Sequence, residues 1–165
     1  MKRIFSLMAV LALCSSLWAQ QVLTVVYATS DDGFVNIRQR PSARAKKLGE
    51  LWQLFHGLGG GILLEEQGGW SKVYVRGVVG WCNSKYVGHQ TWYSGMGDSI
   101  LIANKPVTEL FTDNYADEGD MPLFGTVKKG TILGDEFVFF NGYYELRTGH
   151  DYIFIRKEDA IIKRR

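Results

Sequence analysis

The chain has 165 residues, 46% hydrophobic and 22% charged, which is the composition of a globular protein and excludes a disordered or collagen-like one. Its formal net charge of +2 comes from Lys2 and Arg3; from residue 20 onward 17 basic side chains meet 17 acidic ones, so the basic surface that nucleic acid requires is absent and no nucleic-acid partner is expected. Nineteen glycines, three prolines and 13% aromatics favour short strands and tight turns over long helices, and an all-β fold is expected.

Lys2 and Arg3 precede an apolar run from Ile4 to Leu13, then Cys14, Ser15, Ser16 and Ala19. This is the layout of a secretory signal peptide over residues 1–19, cleaved after Ala19. The run is too short for a membrane span, which needs about 20 apolar residues. Leu11-Ala12-Leu13-Cys14 offers an alternative, since it resembles a bacterial lipobox, although Leu13 stands where a small residue is wanted. Export to a periplasmic or secreted location leaves Cys82 as the single thiol, so no intramolecular disulfide is expected.

The next stretch carries Val35-Asn36-Ile37-Arg38, Pro41-Ser42, Leu48-Gly49-Glu50-Leu51, Gly68-Gly69-Trp70-Ser71-Lys72-Val73, Val79-Gly80-Trp81 and Lys85-Tyr86-Val87. In Trp70 to Val75, alternation puts Ser71, Val73 and Val75 on a core face and Trp70, Lys72 and Tyr74 on the other. Val75-Arg76-Gly77-Val78 reads as a hairpin, and Ser84 to Val87 as a single 3₁₀ turn. Together these landmarks resemble the bacterial SH3-like (SH3b) domain, whose pattern is an Asn-x-Arg strand, a Pro-Ser turn, a Gly-x-Leu strand, a Gly-Trp-x-Lys-Val strand and a closing Gly-Trp followed by Tyr. The resemblance covers about residues 22–88 and implies a small β-barrel, with cell-wall peptide or another peptide segment as ligand.

Residues 89–100, which follow Gly88 and hold Gly95 and Gly97, form a linker whose Trp92 and Tyr93 are expected to pack between modules, because burying one aromatic stabilises by roughly 2 kcal/mol. Residues 101–165 repeat the plan in divergent form. Phe124-Gly125-Thr126-Val127 stands for the Gly-x-Leu strand, Glu109-Leu110-Phe111 for Asn-x-Arg, Asn141-Gly142-Tyr143 for the Gly-Trp strand and Ile153-Phe154 for the closing Gly-Trp. Trp70 to Trp81 and Tyr143 to Phe154 are both eleven residues. Asn141-Gly142 is a strong type I′ hairpin signal. The expectation is two small SH3-like β-barrels in tandem, over 20–88 and 101–165. The first carries +3 and the second, with the linker, −3.

Catalysis would require a Cys nucleophile paired with His, as in the cell-wall peptidases that SH3b domains accompany. Cys82 falls on the strand face opposite Trp81, where a buried structural thiol is expected, and His56, His89 and His150 are scattered, so no enzyme is expected. The histidines and cysteine lack zinc spacing. Asp113 to Asp120 fails the calcium-loop pattern, and His56-Gly57-Leu58-Gly59-Gly60-Gly61 lacks the Lys-Ser/Thr of a phosphate loop. No cofactor or metal is expected. Trp70, Tyr74 and Trp81 face away from the core and require either the neighbouring module or a ligand; aromatic-lined concave sites suit peptides and glycans. The positions matching the family's face, Asn36, Arg38, Trp81 and Tyr86, together with Trp70, are the candidate ligand-binding residues. The expected partner is peptidoglycan peptide; the alternative is another envelope protein.

Overall fold

The computed structural model describes residues 21–54, 59–112, 121–148 and 151–165. The expected leader with Cys14, His56-Gly57-Leu58, the acidic stretch 113–120 and His150 lie outside the described residues.

The fold is all-β, with no α-helix among the described residues. The first half contains β1 (Val25–Ala28), β2 (Phe34–Arg38), β3 (Lys47–Trp52), β4 (Gly61–Gln67), β5 (Trp70–Val75), β6 (Val78–Asn83), a 3₁₀ turn (Ser84–Tyr86) and β7 (Val87–Gln90). They form one curled antiparallel sheet in the order β3-β2-β6-β5-β4-β1-β7. The second half contains β8 (Ser99–Ala103), β9 (Val107–Thr112), β10 (Leu123–Lys128), β11 (Ile132–Gly134), β12 (Val138–Phe140), β13 (Tyr143–Thr148), β14 (Asp151–Arg156), a 3₁₀ turn (Lys157–Asp159) and β15 (Ala160–Arg164). Its sheets run β10-β9-β14-β13-β12 and β11-β8-β15.

The two halves pair alike. β2 lies between β3 and β6, and β9 between β10 and β14; β1 lies between β4 and β7, and β8 between β11 and β15. Registers agree residue by residue: Ile37 opposes Gly49 and Leu110 opposes Gly125; Arg38 opposes Trp81 and Phe111 opposes Phe154; Trp70 opposes Asn83 and Tyr143 opposes Arg156. These are the equivalences the spacing predicts. The difference lies at β4, which is continuous in the first half and replaced by β11 and β12 in the second, with Asp135 to Phe137 between them.

Local chemistry sets the hairpins. Arg76 and Gly77 have φ of +46° and +85°, and Asn141 and Gly142 have +47° and +83°. Both central residues are left-handed, as a type I′ turn demands, because its twist matches that of the strands it joins. Burial alternates along β5 as expected, with Ser71, Val73 and Val75 buried. β4 was hidden in the sequence because a register shift between Leu63 and Glu65 breaks its alternation.

Two clusters fill the interior. One belongs to the first half: Val26, Ala28, Val35, Ile37, Leu51, Val73, Val75, Cys82 and Val87. The other is shared, joining Leu23, Val25 and Ile62 of the first half to Leu101, Leu110, Phe124, Leu133, Leu146 and Ile155 of the second through Trp92. Burying each large aliphatic stabilises by roughly 1.5–3 kcal/mol, so the shared cluster binds the halves to each other. Gly125 lies directly against the first half, and a Cβ there would collide with the Ile62 side chain and crowd the Tyr74 ring. Tyr74 thus finds its partner in the second half.

The segment between the halves is tied down. β7 runs two residues past the expected boundary at 88, and Trp92, 5% exposed, bridges Gly134. The enclosed Asp135 carboxylate accepts hydrogen bonds from the backbone N–H groups of Ser94, Gly95 and Gly97 and from the Ser94 hydroxyl, at 2.7–3.2 Å. Desolvation pushes its pKa up, but those donors outweigh it and hold the carboxyl below its ordinary range. Arg165 closes the clasp from the other end of the chain, donating to the Gly95 carbonyl and lying over the Tyr93 ring at 5.1 Å.

Candidate functional site

Alternation along β2, β5 and β6 sends Phe34, Asn36 and Arg38, then Trp70 and Lys72, then Trp81 to the face away from the first core, where each is half-buried. Strand pairing then lines up one row across the sheet: Lys47, Arg38, Trp81, Lys72 and Glu65 on five adjacent strands. The Lys72 ammonium lies 5.7 Å from the Trp81 ring centroid and 3.8 Å from the Glu65 carboxylate. Lys47 lies 5.6 Å from the Phe34 ring and pairs with Glu50 at 2.5 Å. Phe34 in turn packs on Trp52, 49% exposed, with ring centroids 5.3 Å apart.

Of the candidate residues, Arg38 and Trp81 are direct cross-strand neighbours, and Asn36 and Trp70 share their face. Tyr86 is placed differently. It sits on the 3₁₀ turn, capped by the Asn83 side chain, with the Lys85 ammonium 5.3 Å from its ring. Arg38 spends one guanidinium nitrogen on the Ala45 carbonyl at 3.0 Å, which pins the loop between β2 and β3. Asn36 Oδ1 is buried with no hydrogen-bond partner among the described residues. Such an oxygen costs about 1–3 kcal/mol unless something donates to it.

Sequence reasoning passed over Phe34, Lys47 and Trp52, and placed Lys72 on the outer face with Trp70 without naming it a binding residue. Phe34 could have been found by the same period of two, since it lies two residues from Asn36. Lys47 and Trp52 depend on the β2–β3 register, which no local pattern specifies.

Chemically, the face offers flat apolar surface flanked by cations. A cation beside an aromatic ring is stabilised by the ring's quadrupole, and Arg38 and the two lysines can meet carboxylates by charge-assisted hydrogen bonds. Cys82, one strand position from Trp81, points the other way and is fully buried, and that burial pushes its thiol up to about 12. No group of three His, Cys, Asp or Glu side chains clusters as a metal site would among the described residues. No helix there is long and apolar enough to cross a membrane.

The equivalent face of the second half is filled by its own side chains. Glu109, at the position of Asn36, pairs with Arg156 at 2.9 Å, and the Arg156 guanidinium lies 4.6 Å over the Phe111 ring. Phe111, Tyr143 and Phe154 form edge contacts at 6.4–6.5 Å. Desolvation opposes the Arg156 charge, but Tyr143 and Glu109 together raise its pKa.

No family model matches the chain, and no curated protein matches it. Among solved structures it is similar to NlpC2 from Trichomonas vaginalis, with a TM-score of 0.37 and 14% identity over 87% of this chain and 49% of that one. The chain spans about half the length of that protein.

Proposed function

We propose that this chain is an exported, non-catalytic binding protein built from two SH3b-type modules, and that its first module recognises cell-wall peptide. The observation that carries this reading is the row Lys47–Arg38–Trp81–Lys72, a half-buried aromatic ring with cations on both sides on the face away from the first core. Wall stem peptides combine carboxylates with small apolar side chains, and the row offers a partner to each. Recognition by the rings and cations accounts for Trp81 and Lys72 lying outside either core cluster. Burial of Cys82 supports the absence of thiol chemistry, since a nucleophilic cysteine needs a lowered pKa rather than a raised one.

The test is cosedimentation of the chain lacking residues 1–19 with purified peptidoglycan, beside Trp81→Ala and Arg38→Ala variants verified as folded. Saturable pelleting of the parent, weakened about tenfold or more in Trp81→Ala, is expected for an aromatic anchor. Absence of pelleting at any concentration would overturn wall recognition and turn attention to an envelope protein as the ligand of this face.

A further inference from the structure

A concavity lies between the halves, beside the strands that carry Lys72 and Glu65 but lined by none of the row's residues. It encloses about 400 Å³ and is lined by Ile62, Leu64 and Tyr74 from the first half and by Val107, Val127 and Lys128 from the second. That volume is within the range of sites that hold small ligands or peptide segments. Its walls are set by the packing of Gly125 against Ile62 and Tyr74, so the cleft exists only because the halves are joined.

Three features select its occupant. The floor is apolar, and Leu64 and Val107 remain 39% and 62% exposed at its rim, so apolar surface is left uncovered there. One wall is β10, which ends the five-stranded sheet with no further strand paired to it among the described residues; a strand edge of this kind accepts an added extended segment through main-chain hydrogen bonds. The cations are local. Lys128 lines the cleft and Lys129 follows it, neither with an ion pair among the described residues, while Lys105, beside the lining residue Pro106, is matched by Asp159 at 3.6 Å. An unmatched pair of lysines on the net-acidic half is an electrostatic target for a carboxylate.

We infer that this cleft is a second peptide-binding site, which takes an extended segment along β10 with an apolar side chain on Leu64 and Val107 and a carboxylate at Lys128. The site shares no residue with the Lys47–Arg38–Trp81–Lys72 row, and it stands whether or not that row binds cell-wall peptide. Its ligand class is set by the combination: an acyl chain would use the floor but leave the strand edge unpaired, and an inorganic anion would use the lysines alone.

The probe is acetyl-Val-Leu-Glu with a free C-terminus, compared with acetyl-Val-Leu-Gln amide, titrated into the isotopically labelled chain and followed by backbone amide shifts. Saturable shifts at Leu64, Tyr74, Thr126 and Val127 are expected. Lys128→Glu should weaken binding about tenfold, equivalent to about 1.4 kcal/mol, and the neutral analogue should bind about tenfold more weakly than the acid. Trp81→Ala should leave this binding unchanged, so that failure here and failure of wall recognition are read separately. The inference is overturned by equal binding of acid and amide, by shifts confined to other surfaces, or by no response to the peptide. It is equally overturned if dodecanoate or anionic vesicles occupy the cleft while the peptide does not.

Discussion

The outer faces of the two halves start from one strand plan and end in opposite states. In the first, Arg38 opposes Trp81 and the cations stand beside rings with solvent on one side; in the second, Phe111 opposes Phe154 and Arg156 is spent on Glu109 and on the Phe111 ring. The same registers therefore place Lys47 and Lys72, paired with Glu50 and Glu65, at the sides of the aromatic row in one half, and in the other a carboxylate at the position of Asn36 that pairs with Arg156 across the rings. Repetition of a fold does not repeat its chemistry, because function resides in the side chains placed on it.

The largest effect expected from breaking this comparison lies in the cores. Ile37 and Leu110 are equivalent and fully buried, but Ile37 sits in the first half's own cluster and Leu110 in the shared one. Either substitution to alanine should cost about 3 kcal/mol. Denaturant unfolding followed separately at Trp81 and at Phe154-proximal probes should show Leu110→Ala shifting both halves together.

A smaller effect separates the faces. Trp81→Ala should remove about 2 kcal/mol of ligand binding, measured by pelleting, while Phe154→Ala should leave pelleting intact and lower stability by about 1 kcal/mol through lost ring contacts. Equal loss of binding in the two variants would contradict the asymmetry.

Two titrations sharpen the contrast at opposite ends of the pH scale. Burial pushes the Cys82 thiol up to about 12 in the folded chain, from an ordinary value of 9.0. Above that lower value the unfolded chain holds fewer protons than the folded one, so stability should fall as pH rises, by about 1.4 kcal/mol per unit until the folded thiol ionises. Cys82→Ala should flatten that limb. Asp135 works in the other direction: its lowered pKa contributes stability that is fully present above the ordinary carboxylate range and is lost as pH falls through the folded value. Asp135→Asn should flatten the acid limb of a melting-temperature profile. The smallest change is expected for Lys72→Ala, whose half-exposed cation should reduce wall binding by less than about 1 kcal/mol.

Much of the fold was legible because turn chemistry and alternation are local. Arg76-Gly77 and Asn141-Gly142 announce their hairpins, the 3₁₀ turn follows Asn83, and the buried valine face of β5 follows from a period of two. β4 was not legible, since its bulge disrupts the period, and neither was the clasp that Asp135 makes with residues 94–97 from about 40 positions away. Arg38 and Trp81 were nameable from their motif, whereas their alignment with Lys47 and Lys72 depends on register between strands distant in sequence. The cleft between the halves left no mark in either repeat, because it is made by their contact.

The most direct test of the central claim is an amide-shift map of the chain lacking residues 1–19, titrated with a soluble muropeptide. Shifts concentrated at Arg38, Lys47, Lys72 and Trp81, with Glu109, Tyr143 and Phe154 unmoved, are the predicted result. Shifts of equal size on the Phe111–Phe154 face, or none on the first, would contradict it.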